Sequence, residues 1–213
     1  MWCIPKVTPK FIAEMDHILE LYEMPYDSAE PKVCVDEKTK QLIDNLRPSQ
    51  KMREGQPTRI DYHYKRNGTR NIFVAVEPKA GKRVTRVTAR KTKADYADFL
   101  VKLVQEHYSE ADHVHIIADN FATHKEKALK SILGEDHPIF KKVVLHFTPT
   151  HASWLNQAEI EIGILDRQAI KGRIPDETFL SNQVVAWELD RNAQRKKINW
   201  RFTKEKAKLK FHL

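Results

Sequence analysis

Cysteine is scarce in this sequence, with two residues among 213. Cys3 and Cys34 are too few for a disulfide framework or a cysteine-based zinc site, and Cys34 lies in an apolar run typical of a small core residue. Long hydrophobic runs are also missing, since no apolar stretch approaches the roughly 18 residues that cross a bilayer. The first ten residues lack the apolar core of a signal peptide. We therefore expect a cytoplasmic protein that spans no membrane.

The composition is that of an ordinary folded protein with an excess of positive charge. Hydrophobic residues make up 41% and charged residues 31%, and the net charge is +8. Residues 188–213 hold nine Lys/Arg against three acids. This segment is either a solvated tail or a surface for phosphates. Its candidates for contact with the phosphates of a polyanionic partner are Arg191, Arg195, Lys196, Lys197 and Arg201.

The periodicity of apolar residues predicts a mixed sheet with helices on its faces. Three sequential strands are followed by alternating helices and strands. The predicted strands are residues 32–37, 71–78, 82–92, 114–119 and 141–149. The predicted helices are residues 9–22, 93–108, 124–134, 156–170 and 175–194.

Two acids stand at the predicted ends of strands. Asp36 follows the run that contains Cys34, and Asp119 follows the apolar run that begins at Val114. Sites in open α/β sheets form at the carboxyl ends of strands, so the two carboxylates are expected to lie close together. Close carboxylates repel unless a cation separates them, and Mg²⁺ prefers such oxygen ligands. For Asp119 with Asn120, the alternative is ordinary turn or helix-cap chemistry.

A third acid is offered by the next helix, which contains Glu159 and Glu161. The two side chains point in different directions around the helix, so only one can face a given site. Glu159 has an alternative structural task, because Asn156 and Glu159 form a capping-box pattern. Glu161 has the alternative of facing solvent. The residues alone leave both assignments open.

Three blocks of the sequence resemble the acid blocks of the Asp-Asp-Glu transposases. They read "VCVDE", "IIADNFATH" and "FTPTHASWLNQAEIEI", and the similar branch is a bacterial insertion-sequence family related to the mariner-like elements. The segments "WCIP", "YHYKRNGTRNIFVAVEP" and "WRFT" also resemble that family. Each motif is weak by itself, but together and in this order they are specific. The likeness covers nearly all of residues 2–213.

The resemblance implies an RNase H-like fold, with a mixed five-stranded sheet flanked by helices. It implies that Asp36, Asp119 and Glu159 are the catalytic triad and hold two Mg²⁺ ions, for which Mn²⁺ would substitute. In that scheme Asp36 bridges both ions, while Asp119 and Glu159 each hold one. The Leu-Asn-x-x-Glu pattern selects Glu159 over Glu161.

Three further residues near the acids are weaker candidates. Asn120, His124 and Asn156 are expected to orient a ligand or to contact DNA. For His124 the alternative is a surface position at the start of the following helix. The sequence does not decide between the two.

The resemblance also implies an organisation and a function. Residues 1–30 would form an N-terminal linker helix, residues 31–172 the DDE catalytic domain, and residues 173–213 a basic helical C-terminal segment. The protein would cut and join transposon ends, bind double-stranded DNA and act as a homodimer assembled on DNA in the nucleoid. Family members normally carry helix-turn-helix modules ahead of this domain, and the sequence shows none before Asp36. We therefore expect a chain without its recognition module, which is either a truncated product or the second half of a split gene whose helix-turn-helix half is encoded upstream.

Two other functions remain possible at this stage. One is a structure-selective nuclease of the RNase H type. The other is an inactive remnant that only binds DNA, although the presence of all three acids argues against it.

Overall fold

The computed structural model describes residues 7–50, 52–59 and 61–211. The "WCIP" motif and Cys3 lie outside these residues, so neither the motif nor that cysteine is tested. Cys34 is buried, as predicted. Within the described chain, no helix is long and apolar enough to cross a membrane.

The five strands form one mixed sheet with the order β3-β2-β1-β4-β5. Strands β1 (Lys32–Asn45), β2 (Tyr64–Glu77) and β3 (Lys82–Thr88) are consecutive antiparallel neighbours. Strands β4 (Val114–Ala118) and β5 (Val143–Phe147) run parallel to β1. The predicted mixed five-stranded sheet flanked by helices is therefore confirmed, and it is the arrangement of the RNase H-like fold.

The prediction that Asp36 ends its strand was wrong, because β1 continues to Asn45. It does so because β2 is equally long and stays paired with β1 along its length. The Asn67-Gly68 pair, a turn signal in the sequence, lies inside β2. Gly68 has a φ of 91° there, beside an irregularity in the pairing with β1 at Gln41.

Strand β1 continues beyond the end of its parallel neighbour β4, and β4 ends close to Asp36. The pairing of β1 with β4 stops at Cys34 opposite Ile117. Continuing this register by two residues brings Asp36 level with Asp119. Because neighbouring strands lie about 4.8 Å apart, the two acids stand beside each other at the carboxyl edge of β4.

Helices cover both faces of the sheet. Helices α2 (Lys93–His107) and α3 (Glu126–Leu133) pack on the face that carries Val33 and Val35 of β1. Helix α4 (Ala158–Gln168) packs on the opposite face. Helices α3 and α4 each begin two residues later than predicted.

The first helix packs on the sheet. Helix α1 (Pro9–Glu23) is capped by the Thr8 side chain and buries residues such as Met15 against Cys34. The last helix, α6 (Lys204–Phe211), lies on α1, where Ala207 is fully buried. The predicted domain boundaries at residues 30 and 172 stay predictions, but both terminal helices share the core of the sheet.

The C-terminal segment joins the fold by charge as well as by packing. Lys204 forms an ion pair with Glu20 of α1, and Trp200 packs edge-on against Tyr22. The acidic side of α1 is therefore partly neutralised by the basic segment. Deleting the residues after Trp187 would remove side chains that pack against α1, such as Trp200 and Ala207. A loss of DNA binding after that deletion could therefore result from a loss of stability.

A buried ion cluster connects α4 with β3 and with helix α5 (Glu177–Ala193). Glu161 is 0% exposed and lies 2.6 Å from Arg83 and 2.8 Å from Arg191. The solvent-facing alternative for Glu161 is therefore wrong. The guanidinium of Arg191 is engaged by Glu161, which is a reason against its predicted contact with DNA.

Replacing Glu161 should destabilise the protein strongly. Glu161→Gln leaves two arginines without their shared counter-charge in the core, and breaking a buried pair costs about 3–5 kcal/mol. The matched control is Glu159→Gln, two residues away on α4, which should keep the free energy of unfolding equal to or slightly above that of the wild type, because the pKa of Glu159 is raised on folding. Urea denaturation of the metal-free proteins measures both. Equal stability of the two variants would show that the cluster does not hold α4.

Candidate active site

Asp36 is the most buried of the three predicted acids, at 8% exposed. Its Oδ1 accepts a hydrogen bond from the Glu37 amide at 2.8 Å, and its Oδ2 accepts a longer one from Asn156 Nδ2 at 3.4 Å. Burial raises the pKa of Asp36 to about 7, and the negative charges of Glu159, Glu37 and Asp119 add to the rise. The amide of Glu37 opposes it only in part. Asp36 is thus an acid whose charged form lacks sufficient stabilisation.

Asp119 directly follows β4 and has a cationic partner. Its Oδ1 lies 2.5 Å from Nδ1 of His124 and accepts from the amide of Phe121 at 3.3 Å. Burial by itself would raise the pKa of Asp119, but the hydrogen bond and charge of His124 outweigh it and lower the pKa. The contact with Phe121 is turn chemistry, so Asp119 also takes the structural role considered from the sequence.

His124 is a buried member of the site. It is 1% exposed, its ring packs 4.4 Å from that of Tyr96, and its Nε2 lies 3.2 Å from Glu37 Oε2. Burial lowers the pKa of His124, but Asp119 and Glu37 outweigh burial and raise it to about 9. A protonated His124 therefore bridges two carboxylates, and the surface alternative for this residue is wrong.

Glu37 is a site residue whose role the sequence did not reveal. Its carboxylate lies between His124 and Lys91, with Lys91 Nζ 3.3 Å away. Burial raises the pKa of Glu37, but these two cations outweigh it and lower the pKa. Strand alternation is the signal that was available, because adjacent residues of β1 face opposite sides of the sheet. Glu37 therefore faces the α2 side, while Asp36 faces α4.

Asn156 connects the start of α4 to the strand that carries Asp36. Its side chain is fully buried, donates to the carbonyl of Val35 at 2.9 Å and accepts from the amide of Ala158 at 3.2 Å. These bonds support the prediction that Asn156 orients the site, and they fix α4 beside Asp36.

The capping box predicted for Asn156 and Glu159 does not form. Helix α4 is capped at Gln157, which makes no side-chain hydrogen bond to the helix. Within the described chain, the carboxylate of Glu159 has neither a hydrogen bond nor an ion pair. Burial and the charges of Asp119 and Glu37 raise its pKa, against the influence of Lys38. Glu159 is therefore free of a capping role and lies within electrostatic range of the other acids.

The donor set fits a hard divalent cation, although the described residues hold no ready-made ligand cage. No group of three His, Cys, Asp or Glu side chains among them is close enough to enclose a metal ion. The acids nevertheless perturb one another, and Asp36 and Glu159 both have raised pKa values. Mg²⁺ commonly uses one or two carboxylates and completes its shell with waters and substrate phosphates. An open group of oxygen ligands with excess negative charge suits that requirement.

The other predicted contacts lie away from the acids. The side-chain amide of Asn120 is exposed and reaches Thr150 at 3.5 Å, not the carboxylates. Arg195 has a φ of 46°. Its carbonyl oxygen packs against Gly81, where a Cβ atom would lie only 2.5 Å from that oxygen. The side chains of Arg195, Lys196, Lys197 and Arg201 are exposed, so their contact with DNA stays a prediction.

Comparison with known proteins identifies one family. Residues 31–180 match the family described as DDE superfamily endonuclease. A comparison with curated proteins gave no significant match.

Two solved structures of the mariner Mos1 paired-end complex share the fold. The complex with Mn is 14% identical in sequence, with a TM-score of 0.54 over 92% of this chain. The complex with Mg is 15% identical, with a TM-score of 0.57 over 90% of this chain. The matches cover 60% and 59% of the Mos1 chains, so the present chain spans less than two thirds of their length.

Replacing Asp36 by Asn should stabilise the metal-free protein and remove its response to metal. Because the pKa of Asp36 is raised on folding, ionisation of this acid opposes folding increasingly from about pH 4 to about pH 7. Asp36→Asn should therefore melt at a higher temperature than the wild type at about pH 8, with a smaller gain at about pH 5. Millimolar Mg²⁺ should raise the melting temperature of the wild type only. The same Mg²⁺-dependent rise in the variant would remove Asp36 from the proposed ligands.

Proposed function

The chain belongs to the DDE superfamily of endonucleases, and on that basis we propose that it is a metal-dependent DNA transposase that cuts and joins transposon ends. The observation that carries this proposal is the electrostatic coupling of the three acids beside an RNase H-like sheet: besides burial, the charges of Glu159 and Asp119 raise the pKa of Asp36, and the charge of Asp119 raises the pKa of Glu159. A nearby divalent cation would favour the charged form of Asp36, whose pKa burial and the neighbouring acids raise to about 7.

We propose that the three acids hold two divalent ions, with Asp36 as the shared ligand and Asp119 and Glu159 as the outer ones. Divalent ions would supply Lewis acidity and charge neutralisation at the scissile phosphate. His124 fixes the Asp119 carboxylate, and Asn156 fixes the start of α4 next to Asp36. Mg²⁺ is the preferred ion in this proposal and Mn²⁺ its substitute. The Mos1 complexes with Mg and with Mn support that choice.

The proposed partners are double-stranded DNA and a second copy of the chain. The paired-end complexes of Mos1 support both. The bacterial insertion-sequence origin and the cytoplasmic, nucleoid-associated location are proposals that rest on the sequence resemblance and composition.

We place recognition of the transposon ends in a helix-turn-helix half, fused or supplied in trans. Ahead of β1, the described residues form only α1, and its apolar side is buried against the sheet. Its acidic side meets the basic C-terminal segment through Lys204 and Glu20. Helix α1 is therefore a poor candidate for a helix that reads base edges in a groove.

Substitution of Glu159 tests the assignment of the third ligand. Glu159→Gln should lower Mg²⁺-dependent nicking of DNA by at least about a hundredfold, or ~2.7 kcal/mol of transition-state stabilisation, because an amide is a poor ligand for Mg²⁺. Glu106→Gln, the same change at an exposed position of α2, should leave nicking unchanged. Single-turnover assays on supercoiled plasmid provide the rates.

The same assays separate the competing functions. Wild-type rates in Glu159→Gln would remove Glu159 from the metal site. Hydrolysis of the RNA strand of an RNA–DNA hybrid, without cutting or joining of DNA, would establish the RNase H-type alternative. Absence of both activities and of any Mg²⁺-dependent thermal shift would establish the inactive DNA-binding remnant.

The chain by itself should show little preference for end DNA. Metal-bound carboxylates contact phosphates, which carry no direct sequence information. Fluorescence anisotropy at fixed salt should give a preference for end DNA over scrambled DNA below about a hundredfold, or ~2.7 kcal/mol. Adding the helix-turn-helix half should raise it. A larger preference without that half would place recognition within these 213 residues.

A further inference from the structure

Strands β1 and β2 continue past the sheet as a two-stranded ribbon, here called the ribbon arm (residues 45–66). Pairing continues through isolated bridges between Gln50 and Arg59 and between Arg53 and Gln56. Gly55, with a φ of 71°, makes the turn at the tip. Except for the partly covered Asp61, every described residue of the arm is exposed. The arm therefore contributes little to the core.

The arm is strongly basic. It holds six basic and two acidic residues, so its net charge of +4 is half that of the whole chain. Among its described residues, only Arg47 forms an ion pair, with Asp61 at a long 3.8 Å. The basic side chains are Arg47, Lys51, Arg53, Arg59, Lys65 and Arg66.

Part of the positive charge of the C-terminal segment, the other candidate surface for phosphates, is engaged inside the protein. In that segment, Arg191 is engaged by Glu161, and Lys204 is paired with Glu20. The arm also exposes an aromatic side chain, Tyr62, which is 88% exposed. Exposed cations beside an aromatic ring match the chemistry of a nucleic acid.

The arm extends from the carboxyl end of β1, the strand that carries Asp36. Strand β1 passes from Asp36 to the base of the arm at Asn45 without a break, and nine residues at about 3.3 Å per residue span roughly 30 Å. That distance equals about nine base pairs of duplex DNA at 3.4 Å per pair. Arg173 braces the base of the arm, because it donates to Asn45 Oδ1 at 2.5 Å and to the Asp61 carbonyl at 2.8 Å.

We propose that the ribbon arm binds the backbone of duplex DNA roughly 30 Å from the phosphate held at Asp36. The proposal rests on the proposed function and identifies the surface that holds the substrate. A two-stranded ribbon fits the major groove of B-DNA, and arginines along it would contact phosphates on both sides. Positive charge on an exposed ribbon complements the phosphates, whereas the bridging cations Lys91 and His124 are already engaged at the acids.

Two charge-matched variants test the proposal. The arm variant combines Arg53→Gln, Arg59→Gln and Lys65→Gln, and the control combines Lys10→Gln, Lys127→Gln and Lys141→Gln, at exposed positions outside the arm and the C-terminal segment. Anisotropy with a labelled duplex, in the absence of divalent metal, gives affinities over a range of salt. The arm variant should bind at least about thirtyfold more weakly, and its slope of log affinity against log salt should fall by about 2 to 3, at ~0.9 per lost phosphate contact. The control should change affinity by less than about threefold.

Folding and partner choice are checked in the same series. Both variants should keep the wild-type melting temperature and its Mg²⁺-dependent rise, because the arm lies outside the core. Wild-type affinity in the arm variant, or an equal loss in the control, overturns the proposal while leaving the proposed function intact. In another outcome, the arm variant keeps its DNA affinity but differs from the wild type in sedimentation without DNA. That result would assign the arm to contact between copies of the chain and would also overturn the proposal. A wild-type chain that binds no duplex DNA overturns the proposed function itself.

Discussion

Repulsion between carboxylates at one edge of the sheet is the constraint on which the site depends. Asp36, Glu37, Asp119 and Glu159 influence one another there, and the protein neutralises only some of them. On the α2 side, Lys91 and His124 balance Glu37 and Asp119. On the α4 side, neither Asp36 nor Glu159 forms an ion pair among the described residues, and the charge of Lys38 only partly offsets the rise in the pKa of Glu159. The uneven balance leaves two acids with raised pKa values, where a divalent ion gains most by binding.

The rest of the fold holds these acids against their repulsion. The long pairing of β1 with β2 keeps Asp36 in a continuous strand, although its parallel neighbour β4 has ended. Asn156 fastens the start of α4 to the Val35 carbonyl, and Glu161 anchors the same helix to two arginines. Glu159 lies between these two anchors. One helix therefore uses its buried face for stability and presents a carboxylate to the site at its first turn.

The sequence predicted those parts of the fold that depend on local pattern. The order of elements, the position of Asp119 at the end of β4 and the basic C-terminal segment all follow from composition and periodicity. The length of β1 could not be predicted, because it is set by a partner strand distant in the chain and not by its own polar residues. The burial of Glu161 depends on Arg83 and Arg191, which lie 78 and 30 residues away. The capping box was not formed for a similar reason. Asn156 donates to the carbonyl of Val35 on β1, which lies 121 residues away and is not part of the local sequence pattern.

Crystals grown in Mn²⁺ and measured at a wavelength with anomalous signal from manganese test the central claim most directly. The account predicts anomalous peaks bounded by Asp36, Asp119 and Glu159, with Asp36 contacting each ion that is present. It also predicts that the peaks disappear in Asp36→Asn while His124 remains on Asp119. Manganese bound elsewhere, with the three carboxylates free of metal, would contradict the account.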